Sequence, residues 1–226
     1  MADSNRNIVD AQANFRNLLQ KTFNLMENYG NEYGHDDGRT VFFANYLQLN
    51  LWLLIQFDNF RDTVFTPNSS SVSRHIEFAP GNPERFKSQY DRINRASYCA
   101  IAMFDVENFL RDILKHLGEN TNHSMYKQLL ESLERRLNLT KRQSDILRAP
   151  SYVRNSLHNN GYHTKDNFEV VIRGTLYKFV TGYKVPFTGW NHLYIMFDEL
   201  LDVIEFILQS ADIKKLHNIA HTSETS

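Results

Sequence analysis

Apolar positions recur every three or four residues over most of this chain, a period that predicts helices rather than strands. Residues 6–29 place Ile8, Phe15, Leu18, Leu19, Phe23 and Met26 on that spacing, and Gly30 is the expected stop. A loop at Gly34 to Gly38 leads into a second helix expected at residues 40–62, which is far more apolar than the first. A connection of 18 residues, Thr66 to Pro83, follows; its TPNSSSVS and APGNP segments break regular structure. It is long for a compact domain, so it is expected to move or to shape a site. A long helix is expected at 84–117, with Phe86, Tyr90, Ile93, Ala100, Phe104, Phe109, Ile113 and Leu117 near one side and Gly118 ending it. A fourth helix should run from about Ser124 to Leu137. Thr140 can cap a fifth, with Gln143 at its third position. Pro150 should kink or restart that helix, and Asn159-Asn160-Gly161 should end it.

The period then changes. Phe168, Val170 and Ile172 alternate with Glu169, Val171 and Arg173, and Leu176 to Val180 is again strand-like. A β-hairpin turning at Arg173-Gly174 accounts for this. A last helix is expected over about 190–217, with a polar tail, 218–226, frayed beyond it. The expected fold is all-α: an antiparallel bundle of five to six helices with one β-hairpin inserted before the C-terminal helix. A single domain is expected over 1–226, its core spanning about 6–217.

Composition narrows the function classes. The chain has 226 residues, 42% of them hydrophobic, enough to bury a full core. A formal net charge of −1 means that any nucleic acid must be met by a local basic patch. One cysteine, Cys99, allows no internal disulfide and no Cys-rich zinc site. The N-terminal MADSNRNIVD has no apolar signal segment, and the expected location is the cytoplasm. The most apolar stretch, Val41 to Phe60, is interrupted by Asn45, Gln48, Asn50, Gln56 and Asp58, which suits a core helix better than a membrane span. HExxH, CxxC, phosphate-loop and GxSxG motifs are all absent, so metallopeptidase, nucleotide hydrolase and α/β-hydrolase chemistry have no support, and no cofactor or metal is expected.

The segment Ser151 to His163, SYVRNSLHNNGYH, carries the candidate chemistry. On a helix Arg154 and His158 lie one turn apart and point the same way. A guanidinium can grip a phosphate with two N–H groups and offset charge that builds on it. An imidazole titrating near neutrality can move the proton of a ribose 2′-hydroxyl or of a leaving oxygen. Together they are a minimal kit for cutting RNA without metal. The same spacing also describes an ordinary amphipathic helix end, with Arg154 solvated and His158 capping carbonyls.

The text around the pair, Tyr152 to Gly161 (YVRNSLHNNG), resembles the signature of the HEPN superfamily, in which an Arg and a polar residue precede a His near a helix end. Phe104 to Leu114 (FDVENFLRDIL) is similar to the Glu-bearing core helix of such domains, and the hairpin and closing helix resemble those of some members. The resemblance is specific over about ten residues and loose over 84–210. It implies a helical bundle that forms a homodimer, joins two Arg/His pairs in one cleft and cuts RNA without metal, in a defence or stress role. Arg154 would bind or polarise the scissile phosphate, His158 would be the acid/base, and Asn155 would orient one of them. The alternative it allows is a non-catalytic dimer that binds RNA, a nucleotide or a protein. The sequence departs from the pattern in two places. Three residues separate Arg154 from His158 where four to six are usual. Toxin members controlled by an antitoxin carry a Tyr two residues after the His; here Asn160 stands there and Tyr162 is the nearest Tyr, so no antitoxin is inferred.

Arg111 and His116 meet the usual spacing literally, but five residues at about 100° each set them about 140° apart around a helix. They are expected to be surface residues. Glu107 is a candidate to orient an active arginine across the bundle, and His163 to supplement His158, although both residue types are more often simply solvated at such places. Arg135, Arg136, Lys141, Arg142, Arg148 and Arg154 fall within 20 residues and form either an RNA-facing stripe or an ordinary charged surface.

Overall fold

The computed structural model describes residues 2–59, 83–122 and 124–220. Among them the chain forms seven helices and one two-stranded hairpin: α1 (Ala2–Tyr33), α2 (Gly38–Asn59), α3 (Pro83–His116), α4 (Tyr126–Leu137), α5 (Lys141–His158), β1 (Phe168–Ile172), β2 (Thr175–Phe179), α6 (Trp190–Leu208) and α7 (Ala211–Lys214). The expected helical bundle with a hairpin before its closing helices is the fold observed. No helix among the described residues is long and apolar enough to cross a membrane. The expected connection from Thr66 lies outside the described residues up to Pro83, as do residues 60–62 and 221–226 and the side chains of Ile8 and Phe86.

Consecutive long helices run antiparallel because their contacts descend in step. Phe15 and Tyr29 of α1 meet Phe57 and Phe43 of α2, and Phe42 and Gln56 of α2 meet Phe109 and Tyr90 of α3. α6 runs parallel to α1, with Phe15 against Trp190, Lys21 bonded to Asp198, and Tyr29 accepting from Gln209. Tyr98 sits where these helices meet, fully buried. Its ring packs edge-on against Phe15 at 5.3 Å and Phe197 at 5.3 Å, and its hydroxyl donates to Asn50 Oδ1 at 3.0 Å. Asn50 in turn donates to Tyr46 O at 2.8 Å, so a polar knot is satisfied inside an aromatic core.

Local signals behave as read at several ends. The Thr140 hydroxyl accepts from Gln143 N, and the Gln143 side chain accepts from Thr140 N, a complete capping box. Arg173 and Gly174 have φ of 48° and 79°, the two positive values that match a tight turn to the strand twist. The hairpin register pairs Ile172 with Thr175 and Phe168 with Phe179, which buries Val170, Ile172, Tyr177 and Phe179 on one face. Arg173 then reaches α6, 2.5 Å from Asp198 and 3.1 Å from Glu199.

Four expectations need correction. α1 does not stop at Gly30; it continues to Tyr33, and Gly34, at φ 95°, ends it. Gly30 instead makes room for His35, whose Nδ1 would lie 3.2 Å from a side chain added there. Pro150 neither breaks nor restarts α5. Side-chain donors also reach carbonyls of this stretch, Tyr126 to Leu147 O and Ser151 to Arg148 O, both at 2.7 Å, and Ile146, Leu147, Ala149 and Val153 around the proline are fully buried. The last helix is divided, α6 ending at Leu208 and α7 beginning after Ser210. Residues 218–220 of the expected frayed tail are tied down: Gly38 N donates to Ile219 O at 2.7 Å, Ile219 N to Asp37 Oδ2 at 3.0 Å, and Ile219 is wholly buried.

The clamp on that tail is a buried ion pair. Arg39, with no exposed surface, lies 3.4 Å from Asp37 and 3.7 Å above the Tyr33 ring. Its Nη2 donates to the carbonyls of Ile213 at 3.1 Å and Leu216 at 2.8 Å, drawing the chain after α6 back over the α1–α2 turn. Breaking a buried pair strands its partner, so Arg39→Ala should cost about 3–5 kcal/mol in urea denaturation. Tyr98→Phe, which leaves the Asn50 carbonyl and the buried Tyr46 hydroxyl without their partner, should cost about 1–3 kcal/mol.

Candidate functional site

The end of α5 lies against α3. Arg92 Nη1 donates to Asn160 Oδ1 at 2.9 Å, while Tyr126, bonded to Leu147 near the middle of α5, lies within the electrostatic reach of Glu107. The two helices therefore run antiparallel, and the turn after His158 faces the first part of α3. Asn159 N and Gly161 N return to the carbonyls of Asn155 and Ser156, and Asn160 and Gly161 take φ of 55° and 90°. The chain then pairs with residues 182–185, His163 N donating to Tyr183 O at 2.9 Å and Val185 N to Gly161 O at 2.8 Å. The motif is thus closed at its end by backbone hydrogen bonds.

Val153, Ser156 and Leu157 are buried, which turns Arg154 and His158 outward together. His158 is exposed and Arg154 half-buried. Among the described residues neither side chain has a hydrogen-bond or ion-pair partner. Arg39, Arg95, Arg111, Arg142, Arg148 and Arg173 each bind a carboxylate, whereas Arg154, although half-buried, shares with the exposed Arg16, Arg92, Arg135 and Arg136 the lack of one among the described residues. The charge of Arg154 is felt by the two groups beneath it. Burial pushes the Cys99 thiol up to about 12, and Arg154 and Arg95 act in the opposite direction. Burial likewise raises the Tyr126 phenol, with Glu107 adding to the rise and Arg154 opposing it.

The supporting candidates are placed differently from expectation. Asn155 is half-buried, and its carbonyl accepts from Asn159, but its amide bonds neither Arg154 nor His158. Glu107 is held by Arg111 at 3.0 Å rather than by Arg154. Arg111 is no idle surface residue, since it also donates to Thr121 O at 2.6 Å and Ser124 O at 3.0 Å, closing the loop before α4. His116 faces elsewhere: Nδ1 meets Asp112 O at 2.8 Å and Nε2 accepts from Ala220 N at 3.1 Å. The two therefore diverge, as their helical angle requires, yet both hold structure. His163 is fully buried between Tyr152 and Phe179, its Nε2 2.9 Å from Asp166 O, and does not share a surface with His158. Tyr162 is exposed and forms an isolated bridge with Lys184. In the basic stripe, Lys141 is paired with Asp145, Arg142 with Glu199 and Arg148 with Glu134, leaving Arg135, Arg136 and Arg154 without a carboxylate among the described residues.

Two cations at the motif were not found from sequence. Arg92 lies 68 positions from Asn160. Lys184 crosses Gly161, with Cε 3.6 Å from where a side chain would start. Neither has a local signal, because only tertiary pairing brings them there. No cluster of three or more His, Cys, Asp or Glu among the described residues is placed to hold a metal ion. No family model, curated protein or solved structure matches this chain.

Buried beneath Arg154, Cys99 should resist alkylation at pH 8 in the native protein and react once unfolded, because the thiolate is both scarce and inaccessible. Arg111→Ala should lower stability by about 1–3 kcal/mol, since it leaves the Thr121 and Ser124 carbonyls without their donor. Thermal melts of the native and substituted proteins measure the second effect, and a thiol-reactive dye the first.

Proposed function

We propose that this protein is a HEPN-like, metal-independent endoribonuclease that acts as a homodimer. One observation carries the reading: a half-buried arginine without a carboxylate partner stands one helical turn from an exposed histidine. A guanidinium already neutralised by Asp or Glu competes poorly for phosphate; one held at a helix surface and unanswered is ready for it. The all-helical bundle with its late hairpin agrees with the fold that the sequence resemblance implies. Fold alone does not confer the activity, so the weight rests on the pair.

In this mechanism His158 takes the proton from a ribose 2′-hydroxyl as the 2′-oxygen attacks phosphorus. Arg154 binds the non-bridging oxygens and offsets the negative charge of the phosphorane. The leaving 5′-oxygen receives a proton from the second subunit's acid. The products are a 2′,3′-cyclic phosphate and a 5′-hydroxyl, and two-fold symmetry supplies both proton-transfer groups.

A second reading has its own support. Three of the six basic residues of the α4–α5 stripe are bound to acids, and Arg154 and His158 are separated by only three residues. Both favour a non-catalytic dimer that binds RNA, a nucleotide or a protein.

Incubation with mixed RNA in EDTA separates the two. Cleavage should occur in wild type and fall by about 10²–10⁴ in His158→Ala. Arg154→Lys should fail too, since a point charge does not reproduce a forked contact. Intact RNA after prolonged incubation with wild type would give the second reading the field. Light scattering should give twice 26.5 kDa, and a strict monomer at high concentration would remove the composite site.

A further inference from the structure

The two cations that the tertiary structure brings to the end of α5 differ from the other basic groups near it. Arg95, three residues beyond Arg92, is neutralised by Asp91 at 2.8 Å and also donates to Thr188 O. Asp91 also accepts from Trp190 at 2.7 Å, so Arg95 and Trp190 engage both of its carboxylate oxygens. Arg92 is exposed, and its recorded contact is the amide oxygen of Asn160. That contact uses one N–H of a five-donor fork and holds the rest in a set direction. Asn160 is itself fixed, by its left-handed backbone and by Gly161 N returning to Ser156 O at 2.7 Å. Lys184 is exposed on the other side of the same turn, without an ion pair among the described residues, and its backbone is held by the bridge to Tyr162.

Arg92 and Lys184 thus both lie at the turn that ends α5, at Asn160 and Gly161, two and three residues beyond His158 and one helical turn further from Arg154, with no carboxylate bonded to any of these four side chains, Arg154, His158, Arg92 and Lys184, among the described residues. Tyr162, the next residue of that turn, is exposed and offers a ring on which a base can stack. We propose that Arg92 and Lys184 bind the phosphates of a single-stranded RNA next to the one gripped by Arg154, and so set the strand's direction across the site. This rests on the RNA-directed reading above and adds where the strand runs. Asn160 is a positioning residue in it: it holds the Arg92 fork without touching RNA. Lys141, Arg142 and Arg148 of the α4–α5 stripe are bound to acids and are not part of the track.

Fluorescence anisotropy with a 2′-O-methylated single-stranded 12-nucleotide RNA, which the proposed reaction does not cut, tests the track apart from the chemistry. Each phosphate contact adds about 0.7 to the slope of log affinity against log salt. Arg92→Ala should lower that slope by about 0.7 and the Arg92→Ala/Lys184→Ala pair by about 1.4. Between 50 and 200 mM salt, wild type should then lose about sevenfold more affinity than the double variant. Arg92→Lys, which keeps the charge, should restore most of the slope, and Arg16→Ala, on α1, should leave it unchanged. An unchanged slope in the double variant, or an equal drop in Arg16→Ala, overturns the track. If the slope falls as expected while unmodified RNA stays uncut, the track stands and the nuclease reading fails. If RNA is cut but the slope does not move, the nuclease stands and the track fails. No binding by wild type overturns both.

Discussion

Tyr98 fixes the rotation of α3 about its own axis. Its ring must lie against Phe15 of α1 and Phe197 of α6, and its buried hydroxyl must reach Asn50 of α2. A hydroxyl without that partner would bear the full cost of leaving water, so the helix has little freedom to turn. Successive residues on a helix are about 100° apart. Cys99 is therefore carried a quarter turn round from the aromatic core, to the side that meets α5. Arg92, two turns earlier, comes to nearly the same side and meets Asn160. The position of the candidate site follows from a hydrogen bond inside the core.

Arginine does two kinds of work in this protein. Arg39, Arg111 and Arg173 are clamps, each joining a carboxylate to carbonyls or to several acids of a distant segment. Arg39 gathers the tail, Arg111 closes the loop before α4, and Arg173 pins the hairpin turn to α6. In Arg173, burial lowers the pKa, yet the bond to Glu199 and the charge of Asp198 outweigh it and raise the group overall. Arg154 is of the other kind. Its stem can cover apolar surface while its head stays wet, so the lack of a carboxylate partner among the described residues costs little.

The same reasoning limits the other candidates. A guanidinium bonded to Glu107 is not free to hold a phosphate, which removes Arg111 even though its distance in sequence from His116 suits the motif better. His163 is buried among aromatic rings, so it shapes the chain after α5 rather than acting at its surface. In the stripe on α4 and α5, Arg142 and Arg148 bind α5 to α6 and to α4, and Lys141 pairs within α5.

The features legible in the sequence are those whose physics is local. A capping box needs only Thr140 and Gln143, a left-handed turn only Asn160-Gly161, and a tight hairpin only Arg173-Gly174 between alternating residues. The Arg154/His158 pair was legible for the same reason, since one helical turn sets both directions. What tertiary structure alone decided was every outcome that depends on a distant partner. α1 runs through Gly30 and α5 through Pro150 because the burial of the residues around them offsets the local penalties. The tail is held because Arg39, Asp37 and His116 lie near it only after folding. Partners also decided which cations are paired: Glu134, Glu199 and Asp145 bind Arg148, Arg142 and Lys141, while no carboxylate among the described residues is bonded to Arg154, Arg92 or Lys184. Sequence spacing states which charges exist along a helix; the chains packed around it state which of them are still unanswered.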